Sequence, residues 1–251
     1  MKGIMLRYFI EVLYKGTHYS GFQIQQNANS IQAEIERAFS IFFKETFSLT
    51  GSSRTDAGVH AFSNFFHFDS NCLAAYTPDR LAKVVYNLNA ILPDDIVIKK
   101  IYQVKSDSHC RFDAIGREYK YFIYQLKDPF LSDRAFYYPY QLDIELLNDA
   151  ARALFSYQDF TTFSKRNTQV TNFECRIVKS EWTFEDNLLV YNVQANRFLR
   201  GMVKGLVGTM LKVGTGKMTV SAFCAIVEGK DCSRADFSVP PQGLCLVNVV
   251  Y

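Results

Sequence analysis

The chain has 251 residues, a formal net charge of +3 and 48% hydrophobic residues. This length suits one large domain or two smaller ones with substantial cores, and no apolar run reaches the length of a membrane-spanning helix. Residues 1–13 carry charges at Lys2, Arg7 and Glu11 among the apolar positions, unlike a secretory signal. We therefore expect a cytoplasmic protein.

The cysteines and histidines show no metal-ligand spacing. No C-x-x-C pair occurs, and no two histidines are spaced i, i+4 as on a metal-binding helix. We expect reduced, buried thiols, no metal and no cofactor. The residues concerned are Cys72, Cys110, Cys175, Cys224, Cys232 and Cys245, with His18, His60, His67 and His109.

In chain order, the first half predicts strand, helix, strand, helix, strand. Aromatic and β-branched residues predict strands over 7–14, 61–68 and 96–104. Apolar residues at helical spacing predict a helix over 30–43, capped by Asn29 or Ser30. A second helix is predicted from Thr77-Pro78, with the proline in its first turn.

The second half predicts four strands and three helices. The strands are predicted over 117–126, 176–184, 188–195 and 244–251, and the helices from about Asp143, over 197–213 and over 219–228. Neither half shows the strict alternation of a doubly wound parallel sheet. We therefore predict an α+β chain of two related lobes, with domains 1–105 and 106–251.

The stretch "GSSRTDAGVHAF", residues 51–62, concentrates polar, acidic and glycine residues. Its composition is typical of a surface turn in which Asp56 bonds its own backbone. Alternatively, Arg54 holds Asp56 ionised and oriented, and the loop displays this carboxylate for chemistry. The stretch alone leaves both interpretations open.

Residues 187–227 contain no acidic residue but several basic ones. In the predicted helix, Arg197, Arg200 and Lys204 are spaced i, i+3, i+7 and would share one face. Such an asymmetry indicates either a surface for an anionic partner or an ordinary solvated face. Three glycines at 201, 205 and 208 each cost about 1 kcal/mol in a helix interior. Close packing against another element is our preferred reason, and close approach of a substrate is the alternative.

The stretch "HCRFDAIGREYKYFIYQ", residues 109–125, interleaves Arg111, Arg117 and Lys120 with aromatic side chains. Cations for phosphates and rings for unstacked bases are typical of an RNA-binding surface. Aromatic residues also favour strands and build cores, so a structural role is the alternative.

Several segments together resemble one family, the tRNA pseudouridine synthases of the TruA type. The resemblance rests on segments that occur in the family's order and span nearly the whole chain. These segments are "YKGTHYSGFQIQ", "GSSRTDAGVHAF", "HCRFDAIGREYKYFIY", "DFTTFSK", "NRFLRGMVKGLVGTMLKVG" and "PQGLCLVNVVY". R-T-D-A-G-V-H is the most specific of them.

The resemblance implies that Asp56 is the catalytic aspartate, that Tyr119 contacts the target base, and that Arg54 and Lys204 are basic neighbours of the carboxylate. It implies two α+β lobes whose antiparallel sheets join side by side around a central cleft, in a homodimer. The implied activity converts uridine to pseudouridine at positions 38–40 of the tRNA anticodon arm, without cofactor or metal. Phe22 replaces the tryptophan, and Lys204 the arginine, of many members.

Five further basic residues are candidates for phosphate contacts, which position an RNA rather than read its sequence. They are Arg111, Arg197, Arg200, Lys165 and Arg166. Two other functions compete with the synthase. A non-catalytic RNA-binding module leaves R-T-D unexplained, and a glycosidase usually needs a second carboxylate, for which Asp69 is the first acid that follows Asp56 in sequence.

Overall fold

The structure is a computed structural model that describes residues 5–166 and 170–251. It forms two compact units. The first ends at Ile115 and also contains Leu246–Tyr251, and the second is Gly116–Cys245. Each unit combines helices with antiparallel strands, which confirms the α+β class.

The first unit is built on a central strand with an antiparallel neighbour on each side. Its elements are β1 (Leu6–Tyr14), α1 (Ile31–Phe43), β2 (Thr50–Gly51), β3 (His60–Ser70), α2 (Pro78–Asn89) and β4 (Ile96–Val104). β1 pairs with β3 and with β4, and β2 pairs with β3. Both helices begin where the sequence predicts, because the hydroxyls of Ser30 and Thr77 accept backbone N–H bonds in the first turn.

The core of the first unit is aromatic. α1 buries Ile31, Ile35 and Phe39, and the Phe39 ring packs edge-on against Phe68 of β3 at a centroid distance of 5.4 Å. A fully buried phenylalanine contributes about 1.5–3 kcal/mol through removal of its surface from water. This packing fixes β3, and with it the loop that precedes β3.

The described part of the second unit contains three α-helices and a mainly antiparallel sheet. Its elements are β5 (Gly116–Tyr124), β6 (Phe136–Tyr137), α3 (Ile144–Ala153), β7 (Ile177–Glu185), β8 (Leu188–Ala195), α4 (Met202–Gly214) and α5 (Val220–Glu228). β8 pairs with β5 and β7, and β6 runs parallel to β5. Asp186 and Asn187, both at positive φ, form the tight turn between β7 and β8. The last strand, β9 (Leu244–Val250), continues into the first unit, where it follows β3 in the sheet order.

The helix predicted over 197–213 begins instead at Met202, so part of that prediction is wrong. Gly201 precedes it with φ of 77°, a left-handed conformation that interrupts helical geometry and that glycine adopts readily. Arg197 and Arg200 therefore lie before α4 and do not share a helical face with Lys204, which lies in its first turn. Residue spacing alone does not reveal such an interruption.

Two of the glycines in α4, Gly205 and Gly208, serve close packing, which is the reason preferred from the sequence. A Cβ on Gly208 would lie 2.2 Å from the backbone oxygen of Asp236, and one on Gly205 would lie 2.7 Å from the ring of Phe237. The segment around Asp236 can therefore approach α4 only because these positions lack side chains. Within the described ranges, we find no helix with the length and apolar character needed to cross a bilayer.

Candidate active site

The connection between β2 and β3, residues 52–59, is a shaped turn; we call it the aspartate loop. Ser52 N donates to the oxygen of Phe65 at 2.8 Å, and Val59 N donates to the oxygen of Asp56 at 3.2 Å. Gly58 has φ of 76°, a conformation that glycine adopts without strain. The loop leaves the side chain of Asp56 half-buried and that of Arg54 exposed. The segment is therefore a turn, and the catalytic interpretation of Asp56 and Arg54 stays a prediction.

The segment of residues 15–22 braces the aspartate loop from one side. Phe22 N donates to the oxygen of Thr55 at 3.1 Å, so the two segments are joined next to Asp56. Gly21, with φ of 110°, lies so close that a Cβ on it would stand 3.0 Å from the same oxygen. The glycines of this early motif therefore permit the contact with the loop.

Phe22 occupies the position where many members of the family that this chain resembles carry tryptophan. Its ring is 1% exposed and stacks on Phe66 of β3 at a centroid distance of 4.5 Å. A Cβ on Gly51 would come 2.1 Å from this ring, so Gly51 provides the space that the ring occupies. The phenylalanine therefore anchors the early motif to β3 by packing, as a larger apolar ring would.

A buried chain of hydrogen bonds lies beneath the aspartate loop. The amide of Asn64 donates to the Tyr14 hydroxyl at 3.1 Å and to the backbone oxygen of Ser53 at 2.9 Å. The Tyr14 hydroxyl lies 2.8 Å from Oγ1 of Thr55. Asn64 is 0% exposed and Tyr14 is 2% exposed, so these bonds are shielded from competing water. The chain ties β1 and β3 to the residues on either side of Arg54.

The first unit also holds Arg111 and a nearby cluster of His67, His109 and Cys110. Arg111 is exposed, with its guanidinium 5.7 Å from the centre of the Phe112 ring. The nitrogen and sulfur atoms of the cluster lie within 4.8 Å of one another. The sequence does not predict this cluster, because its two histidines are far apart in the chain and no local pattern links them.

Hydrogen bonds within the protein already engage the cluster. The Cys110 thiol donates to the oxygen of Thr50 at 3.1 Å, and its sulfur lies 3.1 Å from Nδ1 of His67. Burial and the nearby positive charge of Arg7 lower the pKa of His67 to about 4, so its ring is neutral at physiological pH. These contacts fasten β2, β3 and the segment before Arg111 to one another.

In the second unit, Tyr119 lies on β5 with its ring half-buried. The ring packs edge-on against Phe198, at a centroid distance of 5.0 Å and an interplanar angle of 84°. Tyr121, two residues on, is fully buried and its hydroxyl donates to the oxygen of Pro240 at 2.7 Å. Of these two tyrosines, only Tyr119 retains exposed ring surface.

Not every basic residue of this strand is available for an RNA. The ammonium group of Lys120 pairs with the carboxylate of Glu185 at 2.7 Å, and the pKa of Glu185 is lowered chiefly by this hydrogen bond. The number of basic residues along β5 therefore overestimates the positive charge that this strand offers to an RNA.

The second unit brings Lys165, Arg166 and Arg200 close together. The backbone N–H of Lys165 donates to the oxygen of Arg200 at 2.9 Å, and its side chain lies over Gly201, where a Cβ would be 2.9 Å from Cγ of Lys165. Lys165 and Arg166 line a cavity of about 360 Å³. Its other lining residues are Thr161, Ser164, Phe173, Lys230, Asp231 and Cys232. Arg197 is half-buried on the segment that leads to Arg200.

Comparison with known proteins identifies the family. A sequence model described as tRNA pseudouridine synthase matches residues 10–113 and 150–251 of this chain. The chain belongs to the tRNA pseudouridine synthase family. This is a family of isomerases, and the matched residues include the aspartate loop, the early motif and all of α4.

Individual relatives in the pseudouridine synthase family match almost end to end. The chain is 45% identical over 246 residues to tRNA pseudouridine synthase A of Bacteroides fragilis, covering 98% of this chain and 96% of the relative. It is 43% identical over 249 residues to the enzyme of the same name from Porphyromonas gingivalis, covering 98% of each. The tRNA pseudouridine synthase A of a Geobacillus species is 40% identical over 241 residues, covering 95% of each chain.

Proposed function

We propose that this protein converts uridine to pseudouridine at positions 38–40 of the tRNA anticodon arm, with Asp56 as the catalytic carboxylate. The observation that carries the proposal is the aspartate loop, which displays a half-buried carboxylate on a turn braced from below and from one side. The family supplies the reaction and the kind of RNA. A non-catalytic RNA-binding module would not require this bracing.

The reaction exchanges one glycosidic bond for another. The N1–C1′ bond of the uridine breaks, the uracil turns, and C5 joins C1′, while one proton leaves C5 and one is gained at N1. Atoms therefore balance without an oxidant, reductant or co-reactant. An ionised carboxylate can act as nucleophile at C1′, as nucleophile at the base, or as a base towards the sugar. We assign the carboxylate to Asp56 in each of these routes.

We assign Arg54 and Lys204 as the basic neighbours that keep this carboxylate charged. Burial against a substrate favours the protonated acid, whereas a nearby positive charge favours the anion. Lys204 carries one compact ammonium group, so its contact would be single-pronged, unlike the planar fork of an arginine. A positive neighbour thus has a catalytic use besides holding RNA.

We propose that Tyr119 stacks on the target uracil. A base in a stem or at its junction must leave the helical stack before the enzyme can act on it, at a cost of a few kcal/mol. Stacking on an aromatic ring returns about 1–3 kcal/mol per base. The half-buried ring of Tyr119, held edge-on by Phe198, suits this role because its position is fixed before the RNA arrives.

The proposed RNA surface consists of residues that can neutralise phosphates. One group consists of three basic residues at a cavity. Lys165 and Arg166 line the cavity, and Arg200 lies beside Lys165. Their proximity supports the assignment as phosphate contacts. Arg111 and Arg197 complete the set of proposed phosphate contacts. We further propose a cytoplasmic homodimer, as the resemblance implies.

The test is to incubate the purified protein with an unmodified tRNA transcript and to map pseudouridine by chemical labelling. We expect modification at one or more of positions 38–40. Asp56→Asn should lower the rate about a thousandfold or more, with tRNA affinity within about threefold of wild type, because uncharged Asn keeps nearly the same shape.

Asp69→Asn is the matched control, since it removes the first acid that follows Asp56 in sequence, one paired with Arg7. We expect it to retain activity. Near-normal turnover by Asp56→Asn would overturn the assigned role. A wild-type protein that binds tRNA but forms no pseudouridine would instead identify a non-catalytic RNA-binding module, and loss of activity in Asp69→Asn would favour a two-carboxylate mechanism.

A further inference from the structure

The hydrogen-bond chain beneath the aspartate loop joins Asn64 to Thr55 through one hydroxyl group. The oxygen of the Tyr14 hydroxyl accepts the Asn64 amide hydrogen at 3.1 Å. The same hydroxyl forms a hydrogen bond with Oγ1 of Thr55 at 2.8 Å, and breaking a buried bond of this kind is costly. This bond holds the Thr55 side chain in one orientation about its Cα–Cβ bond.

The residues held by these hydrogen bonds, Ser53 and Thr55, lie just before Asp56, the proposed catalytic residue. Thr55 directly precedes Asp56, and the second amide hydrogen of Asn64 holds the backbone oxygen of Ser53 at 2.9 Å. The oxygen of Thr55 is held in turn by Phe22 N at 3.1 Å. Side chain and backbone are thus both fixed at Thr55. An error of about 1 Å in the placement of a reacting group can cost about a hundredfold in rate.

We propose that Tyr14 and Asn64 are positioning residues for catalysis, which set the place of the Asp56 carboxylate through Thr55. This inference rests on the proposed function of Asp56. Neither residue needs to touch the RNA, because both are buried in the first unit. Their loss should therefore affect the chemical step more than the binding of tRNA.

The first variant is Tyr14→Phe, which removes only the hydroxyl that joins Asn64 to Thr55. We expect kcat to fall at least tenfold while KM for tRNA stays within about twofold. Tyr191→Phe is the matched control, because the Tyr191 hydroxyl is also buried and lies 2.8 Å from Oγ of Ser180, in the second unit. Both variants should show a similar fall in melting temperature, but only Tyr14→Phe should lose kcat.

A second pair of variants keeps the test valid if Tyr14→Phe folds poorly. Thr55→Ser retains the hydroxyl that bonds to Tyr14, whereas Thr55→Val replaces it with a methyl group of similar shape. Thr55→Ser should keep most of kcat and Thr55→Val should lose it. The double variant with Tyr14→Phe and Thr55→Val should lose no more kcat than the worse single variant. Both changes remove the same hydrogen bond, between Tyr14 and Thr55, so their effects on kcat should not add.

The results separate this proposal from the proposed function. Active wild type, inactive Asp56→Asn and normal kcat in both Tyr14→Phe and Thr55→Val would overturn only the positioning role. An equal kcat loss in Tyr14→Phe and Tyr191→Phe would also overturn it, since the effect would then reflect general stability. Normal turnover by Asp56→Asn would overturn the role of Asp56, and the positioning role would fail with it.

Discussion

Gly16 lies against Val59 so closely that a Cβ on Gly16 would come 2.0 Å from the backbone oxygen of Val59. Val59 is the last residue of the aspartate loop, and Gly16 belongs to the early motif that braces it. The Gly16 N–H also donates to Nδ1 of His60, at 2.9 Å. The two segments therefore meet backbone to backbone, and any side chain at position 16 would push the loop away.

Gly16→Ala should accordingly damage both stability and turnover. The clash is with backbone atoms, so it can be relieved only by moving the loop, and overpacking of this kind costs about 1–3 kcal/mol. Gly229→Ala is the control, because its added Cβ would meet the mobile guanidinium of Arg234, at 2.6 Å, before any backbone atom. Thermal melting and single-turnover assays check both variants. Equal melting temperatures for the two would contradict the packing argument.

The proposed stacking role of Tyr119 predicts a different response to loss of the ring and loss of the hydroxyl. Tyr119→Leu removes an aromatic platform worth about 1–3 kcal/mol, and the rate should fall about five- to 150-fold or more. Tyr119→Phe keeps the ring and should retain substantially more activity. Steady-state kinetics on tRNA transcripts measure both variants. Unchanged kinetics in Tyr119→Leu would identify Tyr119 as a packing residue for Phe198.

The proposed phosphate contacts predict a strong dependence of tRNA affinity on salt. Each neutralised phosphate releases counterions, so the logarithm of the affinity falls linearly with that of the salt concentration. Arg200→Ala should lower the magnitude of this slope by about one. Lys120→Ala should leave the slope unchanged, because Lys120 is paired with Glu185. Filter-binding titrations at several salt concentrations test this, and a flat response of wild type would refute the basic-surface assignment.

The environment of Glu11 leads us to predict that the free energy of unfolding of the first unit depends on pH. Burial alone would raise the pKa of Glu11, but hydrogen bonds from Lys99, Ser63 and Lys100 lower it below its ordinary value of 4.5. A lowered carboxyl pKa stabilises the fold above the unfolded pKa, and this stabilisation is lost as the pH falls through the folded pKa. Glu11→Gln should therefore cost about 1–3 kcal/mol at neutral pH, with a smaller cost below about pH 4.5.

Urea unfolding of wild type and Glu11→Gln over a series of pH values measures this difference. Glu34→Gln is the control, since Glu34 pairs with the half-exposed Arg37 on the surface of α1. Exposed pairs at this spacing contribute at most about 0.5 kcal/mol. A cost for Glu11→Gln that does not change with pH would show that the carboxylate charge is not the stabilising feature.

The sequence predicted most helices well because their start signals are local. Thr77, Asp143 and Thr219 each accept a backbone N–H bond from the first turn of the helix that follows. The predicted start of α4 was wrong because Gly201 adopts a left-handed conformation, which the pattern of apolar residues does not reveal. β2 and β6 were missed because strands of two residues have no periodicity to detect.

The candidate site was predictable only where it is local in sequence. The aspartate loop could be predicted as a turn from Gly58 and its polar neighbours, and the resemblance singled out Asp56. The role of Asn64 could not be predicted, because a lone asparagine inside a strand pattern carries no signal. Its contact with Tyr14 spans two strands and depends on the register of β1 against β3, in which Val12 lies opposite Asn64.

Tyr251, which directly follows β9, has a consequence for the order in which the chain folds. Tyr251 packs against Phe9 and Phe65 at centroid distances of 5.6 and 5.1 Å, and its hydroxyl donates to the oxygen of Cys110 at 2.7 Å. The first unit thus takes its closing residues from the far end of the sequence. During synthesis, Gly116–Cys245 leaves the ribosome before Leu246–Tyr251 does.

Protease protection of ribosome-bound chains of increasing length would reveal this order. We expect residues 5–115 to gain full protection only once Tyr251 has emerged, although they are made first. A nascent chain that has not yet exposed Leu246–Tyr251 should therefore hold the first unit without its last strand segment, and truncation before Leu246 should leave that unit incomplete.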